Sequence, residues 1–383
     1  MIFTLLPVAG MGYIAWHIWC LLPLGALWKV LLIILIVGSF MLMFVGMRGM
    51  MNNVSLPTAT AMYEIGTSSV FIMLYLVLIF LVLDLGRLVR LVPRSILYQN
   101  WWTAGAICLV MFVLFLYGNL HYRNKYRETL TLSTDKPMTR PLKLVMMSDL
   151  HIGYHNPRKE LHRWVDMINS EQPDVVLFAG DIIDMSMRPL LEERMHEEFL
   201  RIKAPIYACI GNHEYFSNEL AARQFYHDAG IHLLQDSAVV VGDLCIIGRD
   251  DRMNIHRDSL GVLMKQADKE KYTILLNHQP YHLEQAERQG IDFQFSGHTH
   301  HGQVWPISWI TEHVYECAFG PHQRGHTRYY VSSGMGIWGG KFRIGTRSEY
   351  VVATVSSRAS KDTRSQYLDV QPVPNGKAGG RAE

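Results

Sequence analysis

Charge is nearly absent from the first third of this 383-residue chain. Residues 1–122 hold seven charged side chains, Lys29, Arg48, Glu64, Asp84, Arg87, Arg90 and Arg94, while the rest of the chain holds 63 of the 70. So little charge is incompatible with an ordinary water-facing surface, and two regions in two different solvents are implied. Cysteine is scarce as well. Cys20 and Cys108 lie in apolar stretches, and Cys209, Cys245 and Cys317 are scattered without a C-x-x-C spacing, which points to buried free thiols and leaves the redox compartment open. Blocks of basic residues interleaved with aromatics are missing and the net charge is only +2, so nothing suggests a nucleic-acid partner. No internal repeat is present.

What the first third does contain is four uncharged apolar windows, roughly Ile2 to Leu22, Val30 to Met47, Ile65 to Leu83 and Thr103 to Leu120. A bilayer core about 30 Å thick takes about 20 apolar residues of helix, and each window reaches or approaches that length. Pro7, Gly10 and Gly12 make the first the weakest, yet no basic segment precedes it and no small-residue cleavage site follows, as a signal peptide would require. Trp16, Trp19, Trp28, Trp101 and Trp102 lie near window ends, where aromatic belts form. His17, inside the first window, is expected to bond a neighbouring helix. The windows lack paired charges, which argues against a transporter. Arg87, Arg90 and Arg94 in the third connection favour a cytoplasmic loop and an outward C-terminal region; Arg123, Lys125 and Arg127 pull the other way. The short loop decides, giving an integral, multi-pass membrane protein with its C-terminal part extracytoplasmic.

Residues 123–141 read as a polar linker ending in Pro137 and Pro141, residues 142–356 as the second domain, and 357–383 as a disordered polar tail. Within the second domain Leu142 to Met147 reads as a strand, and Leu161, Trp164, Val165 and Ile168 form a helical stripe. Strands at 175–178 and 206–210 alternate with helices at 188–202 and 217–229, the last N-capped by Ser217. A hairpin turns at Gly242-Asp243, helices follow near 258–269 and 281–289, and strands near 272–276, 293–295, 329–332 and 350–355 complete an α/β layer architecture.

Five polar blocks close the apolar runs: Asp149-Leu150-His151, Gly180-Asp181-Ile182-Ile183-Asp184, Gly211-Asn212-His213-Glu214, His278, and Gly297-His298-Thr299-His300-His301-Gly302-Gln303. Pairs of imidazole and carboxylate at i, i+2 after a strand can turn toward one point and suit divalent Mn, Fe or Zn better than Mg or Ca. One such block alone is more often a turn or a cap; five in order are far more specific. Asp184 and Glu214 are assigned supporting roles, and His301 is expected to face solvent. The run Gly334 to Gly340 reads equally as a turn cluster or as a pocket wall near the metals.

In order and spacing these blocks resemble the signature of the calcineurin-like metallophosphoesterases over about residues 142–355, closest to the bacterial membrane-linked or exported branch that includes phosphodiesterases and some lipid A pathway UDP-diacylglucosamine pyrophosphatases. The resemblance implies a four-layer α/β/β/α sandwich, preceded here by an all-α bundle of about four transmembrane helices, and two divalent metal ions. It implies Asp149, His151 and His300 as ligands of the first, Asn212, His278 and His298 as ligands of the second, Asp181 bridging both, and His213 as the catalytic acid or phosphoryl-oxygen stabiliser. Two cations about 3.5–4 Å apart clamp the attacking and leaving oxygens of a phosphoryl transfer and yield hydroxide at neutral pH. The resulting expectation is a membrane-anchored phosphoesterase acting on phosphodiester or pyrophosphate bonds by a metal-activated hydroxide, with the bilayer as partner and a lipid-linked phosphoester as substrate. The competing reading is a non-catalytic membrane protein that binds phosphorylated lipid or a partner through the metal-bearing domain.

Overall fold

The computed structural model describes residues 2–47 and 50–358, so the tail from 359 onward lies outside the described residues. Four helices open the chain: α1 (Ile2–Leu21), α2 (Ala26–Met47), α3 (Leu56–Leu88) and α4 (Trp101–Arg123). By length and composition α2, α3 and α4 are long and apolar enough to cross a membrane, and α1 contributes a shorter apolar helix over Leu6–Leu21. Helix α3 starts at Ser55, whose side chain accepts the Thr58 N–H, and α4 starts at Asn100, which caps Thr103 in the same way.

His17 does bond a neighbouring helix, its Nε2 lying 3.0 Å from Asp84 Oδ2, and the Tyr13 hydroxyl donates to the same carboxylate at 2.7 Å. Asp84 lies just beyond the third apolar window, in the part of α3 that continues to Leu88.

The remainder runs β1 (Lys125–Thr134), β2 (Leu142–Met147), α5 (Arg158–Glu171), β3 (Val175–Ala179), α6 (Arg188–Glu192), α7 (His196–Phe199), β4 (Ile206–Cys209), α8 (Asn212–Ser217), α9 (Glu219–Asp228) and β5 (Ile231–Leu233). A second half follows with β6 (Ser237–Val241), β7 (Leu244–Gly248), α10 (Leu260–Gln266), β8 (Tyr272–Leu276), α11 (Glu284–Arg288), β9 (Phe293–Ser296), α12 (Ile307–Val314), β10 (Gly320–Arg324), β11 (Thr327–Val331) and β12 (Ser348–Ser357). One six-stranded sheet has the order β1-β12-β2-β3-β4-β5, the other β10-β11-β9-β8-β7-β6.

Alternation along the strands builds the layers. In β2, Leu144 and Met146 join the core between the sheets, together with Leu276 and Phe295, while Val145 and Met147 face the α5 stripe of Leu161, Trp164, Val165 and Ile168. On the far side Ile247 and Leu275 pack under Leu260, Leu263 and Leu283. The result is an α/β/β/α sandwich.

Three expectations are corrected. The polar neck of 123–141 contains β1, ten residues in parallel register with β12. Its charged side chains suit an edge strand, whose outer side must not recruit another sheet. The helix expected over 188–202 breaks into α6 and α7, with Arg194 between them in the left-handed region at φ +50°. Asn218, not Ser217, caps α9: its side chain accepts the Ala221 N–H at 3.3 Å, because Ser217 is the last residue of α8.

Candidate metal centre

Strands β2, β3 and β4 run parallel, so the residues that follow them emerge at one sheet edge, and β8 and β9 bring theirs to the same place. The chain leaves each strand by an abrupt turn. Asp149, His151, Asp181, His298 and His300 all have φ between +45° and +71°, a region L-residues avoid and which functional sites tolerate at a cost of about 1–3 kcal/mol each. Two glycines make the approach possible. A Cβ on Gly211 would lie 2.2 Å from Asp181 Oδ1, and one on Gly297 would lie 2.2 Å from Asp149 Oδ2.

Three sets of donor atoms cluster within 4.8 Å: Asp149, His151 and His300; Asp181, His278 and His298; and His151, Asp184 and His213. Between the first two sets lies the Asp181 carboxylate, with Oδ2 at 3.0 Å from His278 Nε2 and 3.8 Å from His151 Nε2. His151 Nε2 and His300 Nε2 point at each other across 3.1 Å, and Asp149 Oδ1 is 3.4 Å from His300 Nε2.

Whether these residues fit metal ions is tested by the atoms the protein leaves unanswered. Asn212 Oδ1 and His278 Nε2 are buried without a hydrogen-bond partner, an arrangement costing about 1–3 kcal/mol per group unless a ligand completes it. The Nδ1 of His278 lies 2.8 Å from the Ala179 carbonyl, so Nδ1–H donates there and the Nε2 lone pair is left for a cation. Burial and the neighbouring His278 push His298 down to about 3, and burial pushes His300 well below the usual imidazole range, so both are neutral. Against its own burial, His278 is raised to about 10 by the Asp181 carboxylate, so without a cation Nε2 holds a proton that a metal ion would displace. The donor set fits.

His213 stands slightly apart, 14 % exposed at the mouth, with Nδ1 3.3 Å from Asp184 Oδ1. Burial pulls its imidazolium down, but Asp181 and Asp184 outweigh that and raise it to about 9, so it carries a proton at neutral pH. Glu214 is a brace: its carboxylate accepts from the Asp181, Ile183 and Gly211 N–H groups and from the Tyr226 hydroxyl. His301 does not simply face solvent. It stacks on Phe319, its Nε2 is 2.8 Å from Glu312, and its backbone sits at φ +49°, a conformation that favours glycine.

Sequence reasoning missed the contribution of the helical bundle. The Tyr63 hydroxyl of α3 donates to Asp184 Oδ2 at 3.0 Å, and Thr67 Oγ1 lies 3.0 Å from His155 Nε2. The available signal was length. Helix α3 has 33 residues, well beyond the roughly 20 that a bilayer needs, and its surplus turns meet the C-terminal domain. Arg343 was also missed; it is fully buried and donates to the carbonyls of His300 (2.7 Å) and Gly336 (3.0 Å), while its own N–H reaches Gly118 O at the end of α4. The Gly334–Gly340 run is wedged between these parts. Gly336 N–H bonds Asp149 O, and Gly340 lies against Ser68 of α3.

Residues 142–302 match the calcineurin-like phosphoesterase family. Among curated proteins, an uncharacterized metallophosphoesterase of Campylobacter jejuni is 28% identical over 259 residues, 65% of this chain and 69% of that one. A transmembrane protein with metallophosphoesterase domain of Danio rerio is 31% identical over 225 residues, covering 54% of this chain and 52% of the relative. The chain thus spans between about half and about two thirds of these relatives. Among solved structures, a 5'-nucleotidase precursor from Thermus thermophilus superposes with a TM-score of 0.34 at 14% identity, covering 60% of this chain and 58% of that one.

Proposed function

We infer, for a chain that carries a calcineurin-like metallophosphoesterase domain beside an apolar helical bundle, that it is a membrane-anchored hydrolase of phosphodiester or pyrophosphate bonds. The observation that carries this reading is the convergence of imidazole and carboxylate groups from two sheets around the Asp181 carboxylate. Asp149, His151 and His300 would hold one divalent cation, and His278, His298 and Asn212 the other, with Asp181 placed beside both groups. Mixed imidazole and oxygen donors favour Mn, Fe or Zn. When bound, two such ions supply positive charge that acidifies water and offsets charge on phosphoryl oxygens.

The chain's own residues do the rest. Asp184 orients His213 through Nδ1, which leaves the proton on Nε2 for the leaving-group oxygen. Tyr63 fixes the other oxygen of Asp184 and so ties the acid to a helix of the bundle. A lipid-linked phosphoester is the substrate this arrangement favours, because the same helix that enters the bilayer contacts the site. The third connection, with Arg87, Arg90 and Arg94, lies toward the opposite end of α3, about 36 Å along the helix from Tyr63. A cytoplasmic position for those arginines leaves the catalytic domain on the outer face of a bacterial inner membrane.

Hydrolysis of a chromogenic diester, a monoester and a pyrophosphate by the full chain with added Mn tests the activity. Turnover that falls by about 10²-fold or more in Asn212→Ala and His213→Ala supports it; wild-type turnover in both variants would sink the assignment, and a wild type inert toward every phosphoester would point to a binding module. A compartment-sensitive reporter at the C terminus tests the sidedness independently.

A further inference from the structure

The bundle and the catalytic domain enclose a second polar cavity of about 250 Å³, apart from the metal-ligand cluster. Five cations line it, Arg123, Lys125, Lys159, Arg163 and Lys341, against one carboxylate, Glu160. Two of the five are answered by carboxylates: Arg163 lies 3.1 Å from Glu160, and Lys341 lies 2.5 Å from Glu64 of α3. Arg123, Lys125 and Lys159 form no ion pair among the described residues. A collection of like charge this dense is self-repelling without a counter-ion, and it concentrates anions.

Lys125 shows how the cavity is built. Its Nζ donates to the Tyr122 carbonyl at 2.9 Å and lies 3.6 Å from the centre of the Tyr122 ring and 5.3 Å from that of Trp164. Aromatic faces and one carbonyl orient the ammonium but do not neutralise it. Burial disfavours the Lys125 ammonium and Arg343 disfavours it further, and an anion in the cavity would oppose both effects. Asn119 of α4 adds a polar wall, its Nδ2 donating to the Lys341 carbonyl at 3.1 Å.

The location narrows the ligand. Arg123 is the last residue of α4, a helix long and apolar enough to cross the bilayer, so the cavity lies at the depth of lipid headgroups. We propose that this cavity binds a phosphate-bearing anion, presented there as the headgroup of an anionic phospholipid. The site is separate from the metal centre. One wall nevertheless reaches toward it, since the Tyr122 hydroxyl bonds Asn156 Oδ1 and Asn156 Nδ2 donates to the His151 carbonyl at 3.0 Å.

Native mass spectrometry of the full chain in detergent, titrated with phosphatidylglycerol, phosphatidylcholine or inorganic phosphate, tests the proposal without using hydrolysis as a readout. Retention of one phosphatidylglycerol in preference to phosphatidylcholine is expected. The exposed pair K159Q/R163Q should weaken that binding about fivefold for each charge removed, and Glu160→Gln should tighten it by a similar factor. Opposite signs from neighbouring residues of one helix cannot come from misfolding. Inorganic phosphate retained with the same response to these variants would support the phosphate site and assign it to a free anion. Phosphatidylglycerol bound equally by wild type and all variants, or neither anion retained by the wild type, would overturn the proposal.

Discussion

The metal centre and the junction with the helical bundle are both made of buried polar side chains, but the two regions answer those groups differently. At the junction the protein supplies most of the partners: Tyr63 bonds one oxygen of Asp184, Thr67 meets one nitrogen of His155 while the other stays unpaired, Tyr122 bonds Asn156, and Arg343 spreads its guanidinium over three carbonyls. At the strand ends it withholds them, leaving Asn212 Oδ1 and His278 Nε2 buried and unpaired a short distance from the Asp181 carboxylate. A satisfied buried network rigidifies, whereas an unsatisfied one is tolerated only where something else completes it. The junction is therefore a support and the strand ends are a receptor.

That contrast breaks most severely at Asp181. Asp181→Ala removes the shared carboxylate, and metal content of the purified protein should fall from two ions per chain to one or none, with hydrolysis down on the order of 10³-fold. Unaltered metal content would mean that Asp181 is not the shared ligand. His213→Ala should lower hydrolysis by about 10²-fold while both ions remain, as measured by steady-state rates alongside elemental analysis. Loss of metal in that variant would place His213 among the ligands.

On the junction side, Arg343→Met strands three carbonyls and should destabilise the domain by about 1–3 kcal/mol, read as a lower thermal midpoint with metal retained. An unchanged midpoint would show that the carbonyls find other partners. The smallest effect is expected from Tyr63→Phe, which deletes one hydrogen bond to Asp184 and should cost about tenfold in turnover with no loss of metal. A full-rate Tyr63→Phe protein would mean that α3 only touches the site.

The same division explains what could be read before folding. Asp149, His151, Asp181, Asn212, His278, His298 and His300 stand out because histidine, aspartate and asparagine after apolar strands have few structural uses in that repeated pattern, and all five blocks do emerge at one edge. Strand β1 was hidden because Lys125 to Thr134 is polar on both faces except at Leu130 and Leu132, the look of a linker as much as of an edge. Break points such as Arg194 depend on a backbone conformation that no side-chain pattern announces. The Tyr63–Asp184 contact joins residues 121 positions apart and needs the surplus length of α3 to be recognised as such. His301 was misjudged because its left-handed backbone and its Glu312 partner are products of the turn, not of the local sequence.

Completion by cations of the donors that the protein leaves unpaired is the central requirement. Its most direct test is elemental analysis of the full-length wild type and Asn212→Ala, purified side by side after loading with Mn. Two ions per wild-type chain and a single ion in the variant are predicted; no bound metal in the wild type, or the same content in both, would contradict it.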